Sequence, residues 1–180
     1  FLSPDSDPIA TPGYVWLNQY RPSSARYPRG GVAVLYRHGL HLLASPTSHS
    51  PDPAPSEWAS VTLSLPSRRT LTVVTGYRSP CYQLTDTMPL TSPFDLCHRP
   101  GDLCLFAGDL NVDPVAITSG SCPGPLEPLR TFLLENYPVP SGPTRYHAQG
   151  QSAIDMWVVN SWLRPFAAPA VRVLSAHGSD

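Results

Sequence analysis

A carboxylate and an amide stand two residues apart directly after an apolar run: Asp109 and Asn111, in the segment FAGDLN. A carboxylate can take a proton from water or bind a divalent metal ion, and a neighbouring amide can donate to a phosphate oxygen that the carboxylate would repel. Residues two apart at the end of a strand lie on one face, so this pair is a candidate for phosphate chemistry. The alternative is a plain turn, because Asp and Asn both favour turns.

Two further acids follow or interrupt apolar segments. Asp155 lies within SAIDMWVV, and Asp180 follows Ser179 at the end of the chain. A buried acid costs free energy unless it is paired or hydrogen-bonded, and an imidazole or a metal ion would be a natural partner for Asp155. Each acid also has a structural alternative, because Asp155 can alternate outward to solvent and Asp180 can belong to a solvated terminus.

Short apolar and β-branched segments predict the strands that would position these residues. The turn at Arg68-Arg69 joins two strands in a hairpin, and Gly39 turns the chain in a second hairpin pattern. Leucines at i, i+3, i+7 and i+8 predict a helix over 126–137, and segments 45–56 and 78–101 are predicted to be loops or irregular. Hairpins indicate antiparallel or mixed sheets. The predicted strands cover residues 14–20, 32–36, 40–43, 58–65, 71–77, 103–107, 154–159 and 171–174.

Composition bounds the class of protein. The 180 residues favour one domain, and no apolar run reaches the length of about 18 residues that a membrane-spanning helix needs. All 12 basic residues are arginine, and with 13 acidic residues they leave a formal net charge of −1, which by itself indicates no nucleic-acid or membrane partner. The four cysteines, at 81, 97, 104 and 122, are predicted to be free thiols in a reducing compartment. The four tryptophans, Trp16, Trp58, Trp157 and Trp162, are predicted to pack in the core or against a sheet.

Six short segments carry a resemblance to a known family. In chain order they are RGGVAV at 29–34, TVVTGY at 72–77, GDLN at 108–111, PT at 143–144, SAID at 152–155 and SD at 179–180. Together they resemble the endonuclease/exonuclease/phosphatase superfamily and, within it, the apurinic-endonuclease-like domain of non-LTR retrotransposons. The resemblance implies a DNase I-like α/β fold, a two-sheet β-sandwich flanked by helices, over a single domain at 1–180. It also implies fusion to a reverse transcriptase in the full-length protein.

The resemblance implies a set of catalytic roles. Asp109 would orient and deprotonate the attacking water, and Asn111 would hold the scissile phosphate. Tyr77 would contact the phosphate or the metal-bound cluster, Asp155 would orient a catalytic histidine, and Asp180 would support the metal site. The chemistry implied is Mg²⁺-dependent hydrolysis of a phosphodiester, with Mn²⁺ as a substitute, because the ligands are oxygens and the substrate is a phosphate.

The resemblance also implies the partner. Thr144 and Ser152 match positions that contact DNA near the cleavage point, and Arg145 beside a tyrosine suits phosphate and base stacking together. The implied function is a DNA endonuclease that nicks target DNA for retrotransposition, working inside the cell and in the nucleus. Arg68 and Arg69 are interpreted as a solvated turn, with a contact to the DNA backbone as the alternative.

The sequence also departs from the family pattern. The family has an Asn on its first strand and a metal-binding Glu before the point where this chain begins, and its Ser-Asp-His motif stops here at Ser179-Asp180. Glu57 is not expected to replace that Glu, because it lies in a different strand region. We therefore expect a fragment, truncated at both ends, that hydrolyses little or nothing. The alternatives are a phosphatase or RNA nuclease of the same superfamily, and a non-catalytic binding module or relic.

Overall fold

The computed structural model describes residues 11–20, 31–43, 47–49, 56–78, 101–120, 122, 124–139, 145–147, 150–152 and 155–167. The predicted strand at 171–174 and most of the predicted loop at 78–101 lie outside these ranges. Two α-helices occur in them, α1 (Pro114–Ser119) and α2 (Glu127–Glu135). The strands are β1 (Tyr14–Tyr20), β2 (Gly31–Arg37), β3 (His41–Leu42), β4 (Thr47–His49), β5 (Ser56–Ser64), β6 (Thr70–Arg78), β7 (Leu103–Asp109), β8 (Tyr137–Val139), β9 (Arg145–His147), β10 (Gly150–Ser152) and β11 (Asp155–Val159).

Seven strands form one mixed central sheet in the order β3-β5-β6-β7-β11-β8, with β4 also paired to β5. The strands β6 and β7 are parallel, and the other neighbouring pairs are antiparallel. Parallel neighbours need a crossover of a dozen or more residues, and the sequence provides residues 79–102 between these two strands. The prediction of a mixed, hairpin-rich fold is confirmed.

One face of the central sheet packs against the helices. Val74, Phe106 and Val158 project from three adjacent strands toward Leu129 and Phe132 of α2. The rings of Phe106 and Phe132 meet edge to face, with their centroids 6.1 Å apart. Because each of these side chains is almost completely buried, each contributes about 1.5–3 kcal/mol from burial. This core supports the strands that carry the candidate site.

The helices differ in how well the sequence predicts them. The helix expected over 126–137 is confirmed as α2, which a 3₁₀ turn at Gly124–Leu126 precedes. The six-residue helix α1 was not predicted, because six residues are too few to show a helical period. It begins where Asp113 accepts hydrogen bonds from the backbone N–H groups of Val115 at 2.8 Å and Ala116 at 3.4 Å. Pro114 follows at the first helical position, where its fixed φ suits a helix.

The opposite face of the central sheet is covered in part by a second, two-stranded sheet formed by the antiparallel strands β1 and β2. Val34 and Leu17 of that sheet pack with Val61, Leu63 and Val73 of β5 and β6. The period-2 pattern of β5 places its valine and leucine on this face, which is why the sheets stack here. The expected α/β sandwich is confirmed, with helices on the outer face of the central sheet.

One predicted hairpin and part of one predicted loop are wrong, although both strands of that hairpin are present as β2 and β3. The segments 32–36 and 40–43 do not form a hairpin, since β2 pairs with β1 and β3 pairs with β5. Gly39, at φ 94°, turns the chain from one sheet into the other. Part of the predicted loop at 45–56 is strand β4, paired with β5. Here β2 pairs with the strand before it and β4 with the strand after it, so the errors concern which neighbour each strand pairs with, and short apolar patterns do not distinguish the two.

The prediction of free cysteines is also wrong in part. Cys104 is buried and disulfide-bonded, and its partner lies outside the described residues. Cys122 is a free thiol whose pKa is raised by burial and by the charge of Glu127, against the opposing effect of Arg130. Sequence spacing cannot reveal a disulfide, because pairing depends on the approach of two Cα atoms in the fold.

The packing predicted for the tryptophans is confirmed for Trp16 in β1 and Trp58 in β5, which are half-buried, and is wrong for the other two. Trp157 is 39% exposed and Trp162 is 51% exposed.

Neither helix of the described ranges is long and apolar enough to cross a membrane.

Candidate active site

Three of the predicted site residues lie side by side where the inner strands β6, β7 and β11 of the central sheet end or begin. We call this end of the strands the sheet edge. Tyr77 is the cross-strand partner of Asp109, and Asp109 is the partner of Asp155. This edge forms because the parallel strands β6 and β7 both end there, and the antiparallel strand β11 begins there. Directly opposed residues project on the same face. With neighbouring strands about 4.8 Å apart, the three side chains form a row roughly 10 Å long.

Glu57 extends this row on the far side of Tyr77. It is the partner of Tyr77 in the β5–β6 hairpin, and only 4% of its surface is exposed. Glu57 therefore lies two strands from Asp109 on the same face, and the expectation that it does not replace the family's Glu stays a prediction. The pairing of Glu57 with Tyr77 is centred on Ser67, so an equal count back from Arg68-Arg69 misses this register.

The Asp109–Asn111 pair is joined by a turn and not by strand alternation. β7 ends at Asp109, and the Oδ1 atom of Asp109 accepts a hydrogen bond from the Asn111 backbone N–H at 2.8 Å. Asn111 has φ 51°, a left-handed conformation that Asn tolerates better than most residues. Leu110, between them, is 2% exposed and belongs to the core beneath α2. The turn interpretation and the site interpretation are therefore compatible.

The side chain of Asn111 ties this turn to the neighbouring strand. Its Nδ2 atom donates to the backbone oxygen of Arg78, the last residue of β6, at 2.7 Å. An amide nitrogen carries two hydrogens, and within the described residues the second one makes no hydrogen bond. Asn111 is only partly buried, so this second N–H is a donor available to a ligand at the sheet edge.

Two glycines allow the strands that carry Tyr77 and Asp109 to lie in this register. A Cβ atom built on Gly108 would lie 2.1 Å from the oxygen of Gly76, its partner in β6. A Cβ on Gly76 would lie 3.1 Å from the Phe106 ring. The glycine of the GDLN segment is thus required by close backbone approach, a reason the sequence alone did not show.

The remaining predicted site residues are not brought into the row. Ser152 and Arg145 are cross-strand partners in the separate β9–β10 hairpin, and the positions of their side chains are not described. Ser152 precedes Asp155 by three residues in the sequence. Thr144 and Asp180 lie outside the described residues.

A metal site needs several oxygen, nitrogen or sulfur ligands close together, and the row contains two adjacent aspartates. Asp109 and Asp155 are opposite one another, and like charges in that position repel unless a cation or a hydrogen-bond donor lies between them. Within the described ranges, however, no group of three or more His, Cys, Asp or Glu side chains is placed to hold a metal ion. These residues alone do not make up a metal site, and we assign no step to an ion.

Comparison with known proteins identifies the fold. No protein-family model and no curated protein sequence matches the chain. A structure of D. rerio TDP2 humanized by 14 mutations has a TM-score of 0.56 and 13% sequence identity, and covers 87% of this chain and 64% of that one. D. rerio TDP2 complexed with a single strand DNA product has a TM-score of 0.54 and 12% identity, and covers 87% of this chain and 65% of that one. This chain has the DNase I-like fold.

The similarity to these structures concerns the fold and part of their length. Both TDP2 structures share with this chain the DNase I-like fold that the sequence resemblance implies. At 12–13% identity the likeness shows the fold and not the reaction. The chain spans 64–65% of the length of these neighbours. A structure of ANGEL2, a 2′,3′-cyclic phosphatase, has a TM-score of only 0.42, and we conclude nothing from it.

Proposed function

We propose that this chain carries part of a phosphodiesterase site that acts on DNA, the part that contains Asp109. The observation that carries the proposal is the alignment of Tyr77, Asp109 and Asp155 on adjacent strands, with the Asn111 amide at the same edge. A DNase I-like fold brings together a hydroxyl, two carboxylates and an amide there, which are groups that bind a phosphate and handle a water molecule.

Each residue has a chemical role in the proposed reaction. The second N–H of Asn111 donates to an oxygen of the scissile phosphate, and its bond to Arg78 keeps that donor from rotating. Asp109 accepts a proton from the attacking water, while its bond to the Asn111 N–H holds the carboxylate in one orientation. The Tyr77 hydroxyl contacts the phosphate from the other side. Asp155 orients an imidazole, a residue that the family supplies after its Ser-Asp pair.

Two observations support the proposed substrate and the proposed cellular role: one fold neighbour and the order of the sequence segments. One neighbour in fold is TDP2 complexed with a single strand DNA product, which favours DNA over a phosphorylated small molecule. The order of the six sequence segments favours the finer assignment, an endonuclease that nicks target DNA for retrotransposition in the nucleus, fused to a reverse transcriptase. Mg²⁺ is the cofactor that this assignment predicts, with Mn²⁺ as a substitute.

A nicking assay tests the proposal. The coding sequence on both sides of residues 1–180 is read first, and the chain is expressed with the segments that it encodes. Conversion of supercoiled plasmid to open circles in Mg²⁺ is then compared for the wild type, Asn111→Ala, Asp109→Asn and a matched surface variant, Arg130→Gln. We expect nicking by the extended wild type and Arg130→Gln, and a loss of 10²-fold or more in Asp109→Asn, the size of effect typical of a proton-transfer residue.

Two results would contradict the proposal. One is equal nicking by Asp109→Asn and the wild type, which would place the reaction elsewhere. The other is a flanking sequence with stop codons or without a metal-binding Glu and a final His, which would favour the relic or binding module. The same enzyme preparations assayed on RNA and on inositol phosphates separate the DNA endonuclease from the RNA nuclease and the phosphatase.

A further inference from the structure

A basic and aromatic surface lies at the end of the central sheet opposite the candidate active site. We call it the basic turn surface, and it consists of Arg68, Arg69, Trp162, Arg164 and Phe166. It joins the turn between β5 and β6 to the turn that follows β11. The strand β6 has nine residues, so this end is roughly 25 Å from Tyr77 along the strand.

Backbone hydrogen bonds fix the two turns. In the first, Leu65 N–H donates to the oxygen of Arg69 at 2.8 Å, and Arg68 N–H donates to the oxygen of Leu65 at 3.0 Å. In the second, Asn160 accepts from the N–H groups of Leu163 and Arg164, at 3.1 Å and 3.0 Å, with its backbone oxygen. The charged and aromatic side chains are thus carried by ordered backbone.

Contacts between arginines and rings connect the turns to each other and to β8. The guanidinium carbon of Arg69 lies 5.8 Å from the centre of the Phe166 ring, which bridges the two turns. Arg164 lies over the Tyr137 ring at 4.0 Å. Such cation–π contacts hold an arginine in place while leaving its N–H groups able to donate.

The surface carries both positive charge and exposed aromatic rings. Phe166 is 68% exposed and Trp162 is 51% exposed. Among the described residues, none of Arg68, Arg69 and Arg164 forms an ion pair with a carboxylate. Three positive charges without acidic partners, next to two exposed rings, are the features that bind a polyanion whose units also carry flat π systems.

We propose that the basic turn surface binds single-stranded nucleic acid. The arginines contact successive phosphates, and Trp162 and Phe166 stack on bases. Exposed rings favour this partner over an acidic polypeptide, which would use the arginines but not the ring faces. The surface is distinct from the row of Tyr77, Asp109 and Asp155, so the proposal does not depend on the reaction proposed there.

Binding of a fluorescein-labelled 12-nucleotide oligo(dT) to the 180-residue chain tests the proposal. Fluorescence anisotropy is measured across a salt series, in EDTA so that metal-dependent cleavage does not contribute. For the double variant Arg69→Gln/Arg164→Gln we expect the slope of log K against log salt to fall by about 0.7 for each phosphate contact removed. For Trp162→Leu we expect roughly 5- to 150-fold weaker binding, the range for loss of one base–aromatic stack.

Controls make the result specific. Arg130→Gln removes one charge from α2, where Arg130 pairs with Glu127 at 3.4 Å, and it should leave binding unchanged. Trp162→Phe keeps a ring and should retain most of the affinity, which excludes a folding defect as the cause of a loss in Trp162→Leu.

Three outcomes would overturn the proposal. The first is no binding by the wild type, and the second is equal binding by all the variants. The third is an affinity that Trp162→Leu leaves intact and polyglutamate competes away, which would make this an acidic-polypeptide surface. Equal nicking by Asp109→Asn and the wild type of the extended chain, with oligonucleotide binding retained, would count against the proposed reaction alone.

Discussion

Replacing Gly108 by alanine tests whether the close approach of β6 and β7 holds the candidate site together. The added Cβ would lie 2.1 Å from the oxygen of Gly76, 2.9 Å from its carbonyl carbon and 3.0 Å from its nitrogen. All three are backbone atoms, so no side chain can rotate away to relieve the overlap. The two strands would have to separate by about 1 Å at this point, since carbon and oxygen are in ordinary contact above about 3 Å.

The energetic cost can be worked from this geometry. Overpacking in a rigid interior costs about 1–3 kcal/mol. Separating the strands also weakens one or two ladder hydrogen bonds, each with a net contribution of about 1 kcal/mol. The entropy that alanine removes from the unfolded chain offsets at most about 1 kcal/mol. We therefore expect Gly108→Ala to lower the free energy of unfolding by about 3 kcal/mol, or the melting temperature by roughly 6–12 °C.

Urea unfolding followed by tryptophan fluorescence measures this loss. Gly124→Ala is the matched control, because a Cβ at Gly124 meets no atom within 4 Å. It should leave stability unchanged or raise it by up to about 1 kcal/mol. A Gly108→Ala variant within about 1 kcal/mol of Gly124→Ala would refute the reasoning, and would mean that β6 and β7 adjust without cost.

Three further predictions concern single side chains. Asn111→Gly removes the 2.7 Å hydrogen bond to β6 but relieves the strain of a φ of 51°. Urea unfolding should therefore show that the free energy of unfolding falls by less than about 1 kcal/mol in Asn111→Gly and by about 2 kcal/mol in Asn111→Ala. Equal decreases would contradict the strain argument. Asn160→Ala removes three side-chain hydrogen bonds of 2.7–3.2 Å, two to Asp102 and Cys104 at the start of β7 and one to Leu163 within the turn after β11, and should lower the free energy of unfolding by about 3 kcal/mol; a decrease of under about 1 kcal/mol would mean that water replaces them. Glu127→Gln should lower the pKa of Cys122 and Arg130→Gln should raise it, because a nearby negative charge disfavours the thiolate and a positive charge favours it; the pH dependence of thiol alkylation measures both shifts, and shifts in the same direction would refute the assignment.

The sequence determined the features that depend on neighbours along the chain. The turn at Asp109 and Asn111 forms because a short polar side chain accepts from a backbone N–H two residues away. The β5–β6 hairpin and α2 follow from alternation and from leucine spacing, and the structure contains both. These elements were predictable because their backbone hydrogen bonds join residues within one helix or across one turn.

The tertiary structure decided which elements meet. No short sequence pattern predicts that β7 pairs in parallel with β6. This pairing places Asp109 next to Tyr77 and requires a glycine at position 108. Glu57 enters the row through the register of the β5–β6 hairpin, which the sequence predicted as a hairpin without fixing the centre of its turn. Pairing between distant strands depends on burying both faces of the central sheet at once, a condition that involves the whole domain. Residue types and short spacings therefore predicted the chemistry of the site, whereas long-range packing determined its geometry.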